Sequence, residues 1–546
     1  MQERTRRTVG RGAGARAFAL SFVLIAGPWL AAGAAEQAGG SSELYDLWIR
    51  HGRVCDGTGA AAVEADVLVR DGRIVRIAAV RDARAKQVID ATGKVVAPGF
   101  IDAHSHGDPL SDASFANFAT QGVTSVVLGQ DGVSPGYPEE RTGRARYSLV
   151  RWMAAVDKAP LQTNVVALVG HGTLRSMAGV GIAPKPTQPQ MEAMQKMLRD
   201  GLEAGAFGMS TGLEYVPGRY AGRDELIELA DTVGRADGLV MSHMRSEDSD
   251  KVVDAIDELI AQSGRARVHV SHMKIVFAHE AQEGDRVLNL LESARERGVD
   301  ITADVYPYLA GYGDLSLVYP PWAKTRAEWD KAVATNRARL EQYLRDRIEL
   351  RGGAGAILFA QPPYTNVTLA QLAARSKLPP EKVVIDVIGF GGPSAAHFNM
   401  RQDVQDRFIA WQYASISTDG GPTLHHPRSW GTYPKILQEY VRDRKVLTME
   451  QAIRKMSGLP AQIVGLRERG ELRAGYYADI VVFSPDKVRS NATWDVPTRP
   501  ASGIDVVILN GCVAAANGRM TSQRCGKLLR KPRVPKEQPT ALARAN

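Results

Sequence analysis

The chain has 546 residues, 44% hydrophobic and 23% charged, an ordinary globular composition with enough apolar mass for a large core. Its 53 glycines, 28 prolines and 7% aromatics exclude a fibrous or low-complexity protein and argue against a disordered one. About half of the net charge of +8 lies in the first 35 residues, and much of the rest in a basic end containing Lys527, Arg530, Lys531, Arg533 and Lys536. No basic stripe crosses the body, so nucleic acid is not an expected partner.

Taken in chain order, Arg4, Arg6, Arg7, Arg11 and Arg16 precede the apolar run Ala17 to Leu30, and small residues follow to Ala35. This charged, apolar, small-residue order marks residues 1–35 as an expected signal peptide and the protein as exported, periplasmic or secreted. No later segment has about 18 unbroken apolar residues, so no stable membrane association is expected after cleavage. Residues 44–97 read as short strands between Asp-Gly and Gly-Thr-Gly turns, and the same texture returns at 465–525. Both ends are therefore expected to build one small β domain. Cys512 and Cys525 flank the turn-like Ala516-Asn517-Gly518; they either pair or remain buried thiols like Cys55.

Between these flanks, residues 98–464 alternate strand and helix patterns. Apolar strand candidates end near His106, Asp131, His171, Glu214, His243, His272, Tyr306 and Asp419. Eight such units fit a closed α/β barrel, (β/α)8, with chemistry at the C-terminal ends of its strands. The interval 309–412 is too long for one crossover and predicts an inserted subdomain or lid after strand seven. Residues 526–546 read as a basic flexible tail.

The strongest chemical signal is Pro98-Gly99-Phe100-Ile101-Asp102-Ala103-His104-Ser105-His106. Alternate residues of a strand share a face, so His104 and His106 can chelate one divalent ion. Two further strands close in Ser-His-Met, at His243 and His272. Asp419, ending the last strand candidate, could bind metal, orient a water and shuttle its proton.

The order His-x-His, His, His, Asp resembles the amidohydrolase superfamily. Gly-Val-Thr-Ser-Val-Val at 122–127, Gly-His-Gly-Thr-Leu-Arg at 170–175 and Ser-Thr-Gly-Leu-Glu-Tyr at 210–215 are similar to its D-aminoacylase branch. So are Asp-Val-Tyr-Pro-Tyr at 304–308 and His-Pro-Arg-Ser-Trp-Gly-Thr-Tyr-Pro at 426–434. The resemblance spans about residues 45–515. It implies a barrel with a small β-sandwich domain and an insertion after strand seven, and zinc-dependent hydrolysis of a small-molecule partner, an N-acyl-D-amino acid, to a D-amino acid and a carboxylate. The alternative is another amide hydrolase on the same scaffold, a dipeptidase or cyclic-amide hydrolase.

One departure from the branch has chemical consequences. Its metal-binding cysteine after strand two is replaced here by Gly129-Gln130-Asp131-Gly132. A carboxylate bridge is then expected from Glu214, at the end of strand four, or from Asp131. Hard oxygen in place of thiolate would make one or two sites tolerant of manganese or cobalt as well as zinc. The resemblance also implies Arg428 as the substrate-carboxylate arginine, with Lys274 adding a donor and Tyr306 or Tyr308 a hydroxyl. His171 is expected at the mouth of the site or in packing. Oligomeric state is not legible in the sequence.

Overall fold

The computed structural model describes residues 43–111, 115–138 and 141–532; the expected signal segment and the end of the tail, 533–546, lie outside the described residues. Eight parallel strands form the central ring. They are β1 (Phe100–Asp102), β2 (Val123–Leu128), β3 (Asn164–Ala167, resuming as Val169–Gly170), β4 (Gly208–Gly212), β5 (Leu239–His243), β6 (Arg267–Val270), β7 (Ile301–Val305) and β8 (Ala414–Ile416). Their residues are almost all buried because helices cover the outside and side chains fill the inside. Val123–Leu128, for example, is buried throughout. The break in β3 lets its first part pair with β2 and its last with β4. The ring closes where Ser105, after β1, bridges Gly420, after β8.

This seam is reinforced by polar groups that β1 and β8 cannot leave unpaired. Buried Asp102 accepts from the Thr418 backbone N–H at 2.9 Å and hydroxyl at 2.5 Å. The Tyr433 hydroxyl donates to the carbonyls of Ile101 and Ile416, at 3.1 and 3.2 Å, and its buried ring stacks on Phe100.

The two flanks of the chain meet in one sheet. Val95–Pro98 runs parallel to Leu44–Val54 on one side and antiparallel to Ile480–Phe483 on the other, which joins nine strands from both ends. Leu47, Ile49, Val67, Ile480 and Ile508 share its apolar cluster. After β7 the chain leaves the barrel to build the insertion. Ala395–Phe398 pairs between Ala310–Gly313 and Ile357–Phe359, and the helices Arg326–Thr335, Arg337–Leu350 and Leu369–Ser376 pack beside them. The insertion has its own core around Leu315, Tyr319, Trp329, Leu344 and Phe359.

Residues 526–532 of the tail depart from the flexible segment expected of its sequence. Cys512 and Cys525 are disulfide-bonded, and the chain beyond them runs along the edge of β3. Val165 N–H donates to Lys527 O at 2.9 Å, Leu529 N–H to Val165 O at 2.8 Å and Lys531 N–H to Gly205 O at 2.9 Å. The edge strand needs these partners, which explains why 526–532 are docked. Among the described residues no helix is long and apolar enough to cross a membrane.

Lys455 sits under β8, 4% exposed, donating to the carbonyls of Trp411 and Ala414. Burial pushes its pKa down to about 7. From pH 7 to about 10 the unfolded chain then holds a proton that the folded chain lacks, so stability should rise with pH across that window. Lys455→Met should remove one proton's worth of that slope in chemical denaturation. An unchanged slope would show that the ammonium stays charged in the fold.

Candidate active site

Three site residues are placed by backbone that ordinary sequence would resist. Asp131 (φ +54°), His272 (φ +38°) and Asp419 (φ +46°) all adopt left-handed conformations. Such residues cost about 1–3 kcal/mol each and persist only where their surroundings hold them. For Asp131 the surroundings are the quoted glycine motifs. A Cβ on Gly212 would lie 2.1 Å from Asp131 O, and one on Gly170 would lie 2.3 Å from Ser134 N. The Ser210 hydroxyl donates to Gly129 O at 2.5 Å and accepts from Gly132 N–H at 3.1 Å. Thr173 N–H donates to Gly132 O at 3.0 Å. The motifs at 170–175 and 210–215 thus form the seat of the Asp131 loop.

Around Asp131 the structure brings together four imidazoles. Its Oδ1 is 3.4 Å from His104 Nε2, 3.4 Å from His272 Nε2 and 3.8 Å from His243 Nδ1, and its Oδ2 is 3.5 Å from His106 Nε2. Asp419 Oδ1 lies 3.1 Å from His106 Nε2 and 3.7 Å from His104 Nε2. Asp131 therefore belongs to two of the three candidate ligand groups, with His104, His106 and Asp419 on one side and His243 and His272 on the other; the third joins Glu214, His243 and Glu247. Burial alone would raise the Asp131 pKa, but His104 and His272 outweigh it and hold the carboxylate ionised.

The donor set fits a divalent cation. Both ring nitrogens of His104 and Oδ1 of Asp131 are buried without hydrogen-bond partners, and His243 Nδ1 faces His272 Nε2 at 2.9 Å. Imidazole nitrogens and carboxylate oxygens aimed at one another suit zinc, and the carboxylates suit harder ions as well.

Glu214 does not occupy the bridging position that the end of strand four suggested. Its Oε2 stands 3.3 Å from His243 Nε2, on the far side of the ring from Asp131. From there Glu214 can orient the imidazole, or share an ion with His243 and Glu247, but it does not meet the ligands gathered on Asp131. Asp304, in the quoted Asp-Val-Tyr-Pro stretch, is an orienting group elsewhere: its carboxylate lies 3.8 Å from His104 Nδ1, 2.8 Å from His269 Nε2 and 3.0 Å from the His272 N–H.

The candidate substrate residues divide. Lys274 Nζ donates to Glu247 Oε1 at 2.6 Å and lies 2.8 Å from His272 Nδ1. Burial would lower its pKa, but Glu247 outweighs this and keeps the ammonium charged. Arg428 Nη1 is 2.8 Å from Asp419 Oδ2, while its Nε is buried without a partner. The Tyr306 hydroxyl is likewise buried and unpartnered. These residues line a cleft of about 240 Å³ with His106, Asp131 and Asp419. Tyr308 does not reach it, because its hydroxyl donates to Pro427 O at 3.2 Å. His171 is turned away as well: fully buried, it holds Glu225 at 2.8 Å beside Arg175. Glu247 escaped notice because an isolated glutamate in a loop carries no pattern.

Comparison with known proteins agrees with this geometry. The amidohydrolase family model matches residues 87–311 and 413–515, and the gap between them falls on the insertion. N-acyl-D-glutamate deacylase of Alcaligenes xylosoxydans xylosoxydans is 34% identical over 90% of this chain and 97% of its own length. D-aminoacylase of the same organism is 32% identical over 89% and 98%. The structure of N-acyl-D-glutamate deacylase from Bordetella bronchiseptica, complexed with zinc and a phosphonate mimic of the tetrahedral intermediate, superposes with a TM-score of 0.76. It is 34% identical and covers 89% of this chain and 100% of that one. The chain belongs to the amidohydrolase family, in its D-aminoacylase branch.

Metal analysis of purified variants checks the bridging assignment. Glu214→Ala, losing an orienting group, should weaken metal affinity by about 10–100-fold. Asp131→Ala should weaken it further. The reverse order would return Glu214 to the bridge.

Proposed function

We propose that the protein is a metal-dependent hydrolase that cleaves the amide bond of N-acyl-D-amino acids, releasing a D-amino acid and a carboxylate. The observation that carries this is the convergence of His104, His106, His243 and His272 on Asp131, with Asp419 and Arg428 facing the same cleft. Those four histidines, with Asp131 and Asp419, would hold one or two zinc ions. A zinc ion held by them supplies Lewis acidity for amide hydrolysis.

The remaining work falls to the chain itself. Asp419 receives the attacking water's proton on Oδ1 and passes it to the leaving nitrogen. Its Oδ2 is steadied by Arg428 Nη1 at 2.8 Å, which leaves Arg428 Nε free for the substrate's α-carboxylate. Lys274 and the Tyr306 hydroxyl add donors to that carboxylate. Arg428 Nε and the Tyr306 hydroxyl, left without partners, suit a substrate with an exposed carboxylate better than a neutral cyclic amide. The Cys512–Cys525 disulfide supports export, since such bonds persist in oxidising compartments.

Two experiments test this reading. Racemic N-acetyl amino acids, incubated with zinc-loaded protein, should release D-amino acids only, and chelation should stop the release. Metal-dependent release of L-forms would keep the chemistry and discard the stereochemical assignment. Asp419→Asn should keep the fold yet lose about 10²–10⁴-fold in turnover, the usual worth of a positioned acid–base group. Near-normal turnover would remove Asp419 from the proton path.

A further inference from the structure

Two strands of the flanking sheet are joined by a connection far longer than their pairing needs. Ile480–Phe483 and Ile504–Leu509 run antiparallel, an arrangement that a turn of about two to five residues would close. Residues 484–503 instead leave the sheet and reach the barrel. A connection that long is uncommon, and one folded against other elements usually has a task.

The excursion meets the segment that carries Arg428. The Trp494 ring stands edge-on to His426, centroids 4.6 Å apart, and 6.5 Å from Tyr308. It also packs at 4.6 Å on Phe398 of the insertion. Ser490 N–H donates to Gln438 Oε1 at 3.2 Å. A Cβ on Gly431, inside the helix Arg428–Lys435, would lie 2.2 Å from Ser490 Oγ and 2.7 Å from the Tyr308 hydroxyl. The glycine of the quoted His-Pro-Arg motif is therefore what lets the excursion close on that helix.

Tyr308 and His426 hold the two ends of one peptide group. The Tyr308 hydroxyl donates to Pro427 O at 3.2 Å, and Arg428 N–H donates to His426 Nδ1 at 3.0 Å. Arg428 opens its helix, where a backbone N–H has no partner within the helix, and the imidazole supplies one. His426 Nε2 donates in turn to Ala310 O at 3.2 Å. Both bonds require a neutral ring, and burial together with the nearby Arg428 keeps it neutral.

The side chain anchored in this way has little freedom. Arg428 Nη1 lies 2.8 Å from Asp419 Oδ2, and the guanidinium carbon lies 4.9 Å from the Tyr306 ring centroid. Rotation of the Pro427–Arg428 peptide would carry the guanidinium away from both. A planar fork binds a carboxylate from a narrow range of directions, and a misplacement of about 1 Å can cost about 100-fold in rate.

We propose that Tyr308, His426 and Trp494 are positioning residues for recognition of the substrate carboxylate: they fix the Pro427–Arg428 peptide and, through it, the guanidinium. The small β domain then takes part in the barrel's chemistry through Trp494. This inference rests on the proposed deacylase reading, in which Arg428 meets the α-carboxylate.

The test loosens the clamp while leaving Arg428 in place. Zinc-loaded wild type, Tyr308→Phe and Trp494→Ala are compared on N-acetyl-D-methionine and on N-acetyl-D-methioninol, which carries a hydroxymethyl group where the carboxylate was. Wild type should prefer the carboxylate in kcat/KM. Each variant should lower that preference by at least about tenfold, chiefly through KM. Trp494→Phe, which keeps an aromatic ring, should restore most of it. Calorimetric binding of D-methionine against D-methioninol repeats the comparison without turnover.

An unchanged preference in Tyr308→Phe, or an equal loss on both substrates, overturns the proposal. Tyr308→Phe deletes a single oxygen, so it decides the matter even if Trp494→Ala fails to fold. An unchanged preference in folded Trp494→Ala overturns the part given to the β domain. Wild-type turnover with no carboxylate preference overturns the clamp and leaves the deacylase reading intact. Absence of wild-type turnover sinks the deacylase reading instead, and the calorimetric ratio then decides the clamp by the same criterion.

Discussion

Four imidazoles and two carboxylates are pressed into the mouth of a barrel, and their mutual arrangement constrains everything around them. His243 and His272 set ring nitrogens 2.9 Å apart, and His104 leaves both of its nitrogens without a hydrogen bond. Buried polar atoms so placed are costly unless a cation answers them. The opposite edges of two of the rings are held by a second row of groups: Glu214 behind His243, and Lys274 and Glu247 behind His272. That row decides which nitrogen of these two rings faces inward, a requirement that the inner residues cannot meet alone.

The same constraint accounts for the strained backbone. Asp131, His272 and Asp419 reach the centre from the ends of β2, β6 and β8 only by turning into left-handed conformations. The chain stabilises one of these turns by removing side chains next to it. Gly170 and Gly212 allow the Asp131 loop to rest directly on neighbouring backbone. An alanine at Gly212 would put a carbon 2.1 Å from the Asp131 carbonyl, so this glycine is as much a part of the centre's geometry as a ligand would be.

Much of this was legible in the sequence because it depends on period and order. His104 and His106 share a strand face by alternation, and the Ser-His-Met strand ends foretell two more rings. The return of strand texture at 465–525 anticipates a sheet shared by both chain ends. What the sequence could not show depends on direction. Glu214 and Asp131 are both carboxylates at strand ends, and only the side of His243 on which Glu214 stands separates an orienting group from a bridge. Tyr306 and Tyr308 are two residues apart, yet one hydroxyl is free in the cleft and the other is spent on Pro427. The tail looked solvated because its basic composition says nothing of the open edge of β3 that binds its backbone.

The division between barrel and insertion carries a consequence for specificity. The groups proposed to hold metal and move protons all stand on the barrel strands or the loops that follow them. Arg351, His397 and Asn399, which also line the cleft, belong to an insertion with its own apolar core. A mutation in that core can therefore shift this lining by small amounts without disturbing β1 to β8. Side-chain choice can change along such a path while the hydrolytic centre stays fixed. The family model passes over residues 312–412 and resumes at 413, so the part of the chain matching the common pattern is the part that holds the proposed metal ligands.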